Sequence, residues 1–354
     1  MLTTTAAGRT WDYSHSIGGA TLAGRGFLVP IAIEQAADGT LYVLNRSGER
    51  PSGAGVETIG QRIGMLTLDE QYLGEFGEGD FVWAVDLALD REGLVYVSDE
   101  SRDTVSVYDQ NGERLAEWDC SSSELGKLAG PAGLAFDGED NLYIAEGRAH
   151  RVRRVTKDGQ YLGGWGARGD DEGRFERPWG LCVDADGDVY VADWGNDRVQ
   201  KFTQDGKHLV SFGGSNVRRR SAPTWDAVDL SGEFPGSLNH PACVAVDSLG
   251  DVYVTDWGTK RVQVYEPDGR FITSLWGEAT DWSRWAQERM DANPDLRKGM
   301  RRVSPIRLAE MGRFFRPTGI MVDQDDRVIV AESQHHRLQV YQKVADYVEP
   351  QFNL

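Results

Sequence analysis

One unit of sequence recurs six times along the chain, and that recurrence constrains the fold more than any other feature. Its clearest copy is Pro178 to Gly213, PWGLCVDADGDVYVADWGNDRVQKFTQDGKHLVSFG. Four short runs rich in Val, Tyr and Phe are separated there by Asp186-Gly187, Gly195-Asn196-Asp197 and Asp205-Gly206. This is the composition of an antiparallel meander with tight turns. Aligned on this copy, the second runs carry Tyr42, Tyr96, Tyr143, Tyr190 and Tyr253, with Ile329 in the sixth. Twelve residues before them stand Pro30, Pro131, Pro178, Pro241 and Pro317, with Ala84 in the second unit.

The spacings are 54, 47, 47, 63 and 76 residues, so the bare unit is 47 residues and the excess is insertion. A four-stranded sheet of that size cannot bury both faces alone. Packing six copies around an axis solves this, which predicts an all-β, six-bladed propeller spanning residues 1–354 as one domain. The sixth unit supplies three strands before the chain ends. Residues 11–18, within WDYSHSIGG, read as the missing fourth strand of that last blade, closing the ring and covering its edges.

The first and third turns of every unit are short (DADGD, DSLGD, TQDGK, EPDGR). The long departures, at 47–61, 119–130, 214–238 and 278–313, all fall at the second turn or the crossover between blades, which share one face. Elaboration of a single face on a rigid scaffold is where binding usually resides. Within the longest insertion, Trp282, Trp285, Ala286, Arg289 and Met290 keep helical spacing, with Thr280 or Asp281 as N-cap. They predict a short helix over the propeller mouth. From Arg284 to Arg316 there are nine Arg or Lys against four Asp or Glu, and Arg218-Arg219-Arg220 adds to a basic face. A solvated helix flank accounts for those charges equally well.

The pattern GLCVDADGDVYVADWGNDRVQKF and its sibling CVAVDSLGDVYVTDWGTKRVQVY resemble NHL repeats. The resemblance implies the propeller fold but not one activity. NHL propellers include peptide-amidating lyases, sensor domains and protein- or RNA-binding modules, and related propellers include lactonases and strictosidine-synthase-like enzymes. The amidating lyases bind zinc through histidines just after the inner-strand proline of alternate blades. Those positions here hold Ile31, Val85, Ala132, Trp179, Ala242 and Thr318, so that zinc site is not expected.

A carboxylate follows each second strand (Asp99, Glu146, Asp193, Asp256, Glu332). Its repetition in blade after blade points to turn capping and to pairing with Arg151, Arg198, Arg261 and Arg337. Function is expected where the repeat is broken. Glu34 replaces the small apolar residue found as Ala88, Ala135, Cys182, Ala245 and Met321. Asp86 stands where other blades have Gly133, Gly180 and Gly319. Both carboxylates share an alternation phase on adjacent inner strands, so they are candidate catalytic groups, a buried pair satisfied by a local Arg being the alternative. Blade one also exchanges the ring acid for Asn45, followed by Arg46. By analogy with lactonase-like propellers, Glu34, Asp86 and Asn45 are candidate oxygen ligands for Ca2+. No other cofactor is expected. Trp179, Trp194 and Trp257, with Asn45, Arg46, Arg102 and Arg148, are candidate ligand contacts at the mouth, blade-to-blade packing being the alternative for the tryptophans. Trp118, Trp165 and Trp276 replace the fourth-strand Phe and read as core, and Cys182 and Cys243 as small buried fillers.

Composition narrows the partners. A formal net charge of −18 opposes binding of nucleic acid or anionic lipid through a generic basic surface. No apolar run reaches transmembrane length, and the N-terminal stretch has no secretory pattern. Three cysteines without framework spacing fit reduced thiols, so a cytoplasmic location is expected. The expected function is binding of a protein or a small polar or anionic ligand through the decorated Trp- and Arg-bearing face. The alternative is a metal-assisted hydrolase or lyase acting on a small polar substrate in the central pocket. RNA binding ranks last.

Overall fold

The computed structural model describes residues 3–46, 60–214, 234–279, 281–295, 298 and 310–345. Arg218 to Arg220 and much of the insertions at 47–61, 214–238 and 278–313 lie outside the described residues. The described chain forms six antiparallel sheets, five of four strands and one of five. The inner strands Pro30–Gln35, Ala84–Leu89, Pro131–Phe136, Pro178–Val183, Pro241–Val246 and Pro317–Val322 pack side by side in a closed ring, the last against the first. Six of the apolar clusters straddle neighbouring blades. Tyr42, Leu44 and Ile63 of blade one, for instance, meet Leu87, Val97 and Tyr108 of blade two. Each blade thus buries its faces on its neighbours, as the size of the repeat requires.

Repeat residues recur because each closes the same backbone gap. In blades two, four and five the second-strand tyrosine donates its hydroxyl to an aspartate in the preceding first turn: Tyr96 to Asp90 at 3.2 Å, Tyr190 to Asp184 at 3.1 Å and Tyr253 to Asp247 at 2.7 Å. The ring acids accept the N–H of the residue 17 positions earlier, just before the inner strand. Val82 donates to Asp99, Glu176 to Asp193, Asn239 to Asp256 and Phe315 to Glu332. Arg198 and Arg337 then pair with the acids five residues before them, at 3.0 and 2.6 Å.

A second ring of contacts joins blade to blade. In blades two to six the residue preceding the third strand adopts a left-handed conformation, at Asp103, His150, Asp197, Lys260 and His336. Four of these side chains accept the N–H of the residue before the next inner strand. Gly130 donates to Asp103 at 2.7 Å, Arg177 to His150 at 3.1 Å, His240 to Asp197 at 2.8 Å and Val29 to His336 at 3.0 Å. Lys260 has no acceptor to offer, and its ammonium lies over Phe315, 4.2 Å from the ring centroid.

The ring closes between the chain's two ends. Arg9–Gly18 runs antiparallel to Arg337–Val344, in register from Thr10↔Val344 to Gly18↔Arg337 with a bulge at Tyr13/His15. Thr3–Ala6 folds back as a fifth strand. Trp11 is fully buried and its indole donates to the Tyr253 hydroxyl at 2.9 Å, while Lys343 pairs with Asp247 and Asp251.

The helix occupies Arg284–Ala292, with Ser283 rather than Thr280 or Asp281 as N-cap. Its position differs from the expectation of a lid over the mouth. Trp285 is buried against Phe27 and Tyr72, and Glu70 accepts both Arg284 N–H at 2.5 Å and Gly18 N–H at 2.8 Å. Arg289 bonds the carbonyls of Ala20 and Arg25. A helix with one large apolar residue settles where that residue finds a hole, and the hole lies at the seam between blades six and one. The helix therefore clamps the closing strand. Trp276 also departs from its core assignment: it is 44% exposed, with the Arg261 guanidinium over its ring, whereas Trp118 and Trp165 pack against core clusters. No described helix is long and apolar enough to cross a membrane.

Candidate ligand site at the mouth and axis

The inner strands enclose an axial cavity of about 300 Å3, lined chiefly by apolar side chains. Glu34 and Asp86 both open onto it, so the shared alternation phase does bring them to one space. Burial pushes the Glu34 carboxyl up to about 8, and the Asp86 charge adds to the rise. Burial pushes Asp86 up to about 7, although the N–H groups of Leu134 and Leu87, each at 3.0 Å, pull it back. Among the described residues no arginine or lysine bonds either carboxyl. Near neutral pH the cavity thus holds a protonated acid beside a carboxyl that titrates, a pairing suited to acid–base chemistry. Cys182 and Cys243 line the same cavity with thiols raised by burial, Cys243 to about 12, which makes them poor nucleophiles.

The candidate calcium set does not assemble. Asn45 is absent from the cavity lining. It is fully buried, accepts Leu28 N–H at 3.2 Å and donates to the Val43 carbonyl at 3.0 Å. It does for blade one what the ring acids do elsewhere, since an amide oxygen accepts a backbone N–H as a carboxylate does. Two carboxyls remain where Ca2+ takes about six to eight oxygen ligands. Among the described residues, no group of three His, Cys, Asp or Glu is placed to hold a metal.

Nearer the elaborated face, aromatic rings form an arc. Trp179 and Trp194 lie 5.6 Å apart between centroids, Trp194 and Trp257 5.3 Å, and His240 stacks 4.8 Å from Trp194. Trp83 packs in one apolar cluster with Trp179 through Val85 and Ala132. A guanidinium covers each end: Arg46 lies 4.2 Å over Trp83, and Arg316 lies 4.7 Å over Trp257. Trp179, Trp194 and Trp257 are thus brought together, and all three are part-exposed. Trp83, His240 and Arg316 complete the arc without having been singled out from sequence. Trp83, His240 and Arg316 occupy the position just before the inner strand, where other blades carry Val29, Gly130 and Arg177. That variability was the available signal.

The other two candidate arginines serve the frame. Arg102 turns to Glu117 on the outer strand of its own blade, at 3.7 Å. Arg148 reaches back to Asp103 of the preceding blade. Neither contributes to the arc. Among the ring acids, burial raises Asp193 to about 6 despite Asn196, Glu176 N–H and Arg198. Burial acts on Glu332 in the same sense, but Arg337 and His335 outweigh it and hold the carboxyl below its usual range.

Six radial sheets, five of four strands and one of five, around an axial cavity define a six-bladed β-propeller. The NHL repeat model matches residues 175–202, 238–265 and 314–341, within blades four, five and six. The chain therefore carries NHL repeats at three positions of a six-bladed β-propeller. Solved structures of similar fold include a streptogramin B lyase, at 12% identity over 94% of this chain and 98% of that one, TM-score 0.54. An auxiliary nutrient binding protein from Bacteroides thetaiotaomicron matches at 10% identity over 97% of this chain and 77% of that one, TM-score 0.61. A catalytically inactive virginiamycin B lyase from Staphylococcus aureus with quinupristin matches at 12% identity, 94% and 99% coverage, TM-score 0.53. No curated protein matches. Likeness at these identities shows the fold alone.

Proposed function

We propose that this protein is a ligand-binding propeller that takes a small anionic ligand with a flat face at its mouth. The observation that carries the reading is the arc of part-exposed tryptophans bounded by two guanidinium groups. Neighbouring, mutually tilted indoles offer area to a flat ring or sugar, and the cations select charge. The concave setting favours a small molecule over a protein surface. Propellers of similar fold include one solved with quinupristin and one described as nutrient binding, which is compatible with a ligand at the axis. Calorimetric titration of the intact protein with a panel of aromatic and sugar acids tests the reading, compared with Trp179→Ala and Trp194→Ala. Binding that both variants retain in full would place the ligand elsewhere and end the proposal.

A second reading is favoured by the paired carboxyls of the axial cavity. A protonated Glu34 beside a titrating Asp86 suits a hydrolase or lyase acting on a small polar substrate. A metal-assisted version needs ligands beyond these two. Elemental analysis of protein purified without chelator, with melting temperature before and after EDTA, separates the two versions. One bound divalent ion whose loss lowers the melting point, and whose binding Glu34→Gln abolishes, supports metal assistance. No ion and no shift reject it.

A further inference from the structure

Among the described residues, Arg46 is a buried guanidinium at the mouth that no carboxylate pairs. It is 6% exposed, and among the described residues its Nε and Nη1 have no hydrogen-bond partner. Its backbone N–H is already given to the Val29 carbonyl. The Trp83 face compensates the charge in part. The carboxylate that most raises its pKa, Glu100, bonds Arg177 at 3.4 Å, and burial still brings the guanidinium down to about 10. Buried guanidinium groups are ordinarily forked onto a carboxylate or a set of carbonyls. Here Arg46 lines a cavity of about 30 Å3 together with Ile31, Val85, Trp179 and Thr318, and with Asp86, whose carboxyl burial pushes up to about 7 and so toward its neutral form. Trp179 belongs to both this cavity and the aromatic arc, so the two adjoin at its ring.

We propose that Arg46 is the anion anchor of this mouth, receiving the carboxylate of a small ligand whose ring lies on Trp179 and Trp194. The inference rests on the mouth being the ligand site and adds the chemical class of what enters it. A carboxylate presents two oxygens in one plane, whereas phosphate presents four in a tetrahedron. The planar fork of Arg matches a planar anion.

The test uses benzoate, benzamide and inorganic phosphate as probes of the intact protein, by calorimetry and by melting. Benzoate is expected to bind at least tenfold more tightly than benzamide. Arg46→Met is expected to erase that preference by weakening benzoate at least tenfold more than benzamide. In carboxylate-free buffer it is also expected to melt higher than the native protein, because an uncompensated buried charge has been removed. Phosphate should not compete with benzoate. If Arg46→Met does not fold, Arg46→Lys serves: it keeps the charge, loses the fork, and should lose most of the preference. Equal binding of benzoate and benzamide, with both lost in Trp194→Ala, would overturn the anchor and leave the mouth standing. Absence of binding by either probe would overturn both. Competition by phosphate would overturn the carboxylate class, and an Arg46→Met variant that melts lower would assign the guanidinium to packing.

Discussion

Glu34→Gln is expected to flatten the dependence of stability on pH. In the folded protein Glu34 titrates near 8, against 4.5 when exposed. Between those values the native state holds a proton that the unfolded chain has released. The stability contributed by neutral Glu34 is therefore complete below pH 4.5 and is lost as pH rises toward 8. From about pH 5 to pH 8 the loss is about 4 kcal/mol at about 1.4 kcal/mol per unit. Glu34 is part-exposed to the axial cavity, and screening there leaves about 2–4 kcal/mol. Asp86 contributes in the same direction up to about 7 and continues to do so in the variant. Equilibrium urea unfolding at half-unit pH steps, followed by tryptophan fluorescence, measures the curve. Native protein should lose stability steeply across this range, while Glu34→Gln, of the same shape and without the titration, should lose about half as much. Parallel curves for the two proteins would mean that Glu34 is solvated or paired, and the account of the axial cavity would be wrong.

Deleting residues 1–18 removes the outer strand of the last blade and buried Trp11, and should leave no cooperative melting transition; soluble protein with an unchanged melting temperature would refute the closure. Gly180→Ala places a methyl 2.5 Å from the Ala242 carbonyl and 2.8 Å from Cys243 Cα, and should cost about 2–3 kcal/mol in urea unfolding, whereas Gly163→Ala meets nothing within 4 Å. His336 must be neutral at Nδ1 to accept Val29 N–H, and burial together with His335 holds its pKa below 6.5. Stability should therefore fall as pH drops below 6.5, and His336→Asn, which keeps an acceptor, should remove that part of the acid sensitivity. Trp285→Ala should cost about 3–5 kcal/mol at the seam while leaving ligand affinity at the mouth unchanged, as calorimetry on folded variant protein would show.

Much of this was legible in the amino-acid order because a repeat gives every residue an address. Position within the unit determines position in the blade, so the ring acids, the second-strand tyrosines and the shared phase of Glu34 and Asp86 could be placed before any coordinates. Departures from the unit, such as Glu34 among alanines, were visible for the same reason. Insertions carry no such address. The helical period of Trp285 was readable, but not the hole it would fill, because that hole is made by Phe27 and Tyr72 from the far end of the chain. Asn45 looked like a lost charge and proved to be a kept hydrogen bond, since the acceptor geometry matters there more than the ionisation. The arc from Trp83 to Arg316 and the uncompensated charge of Arg46 were decided by tertiary structure alone. Both depend on which side chains from six different blades meet at one axis, and on which of them find partners there. Local sequence specifies neither, because burial and pairing are properties of the closed ring.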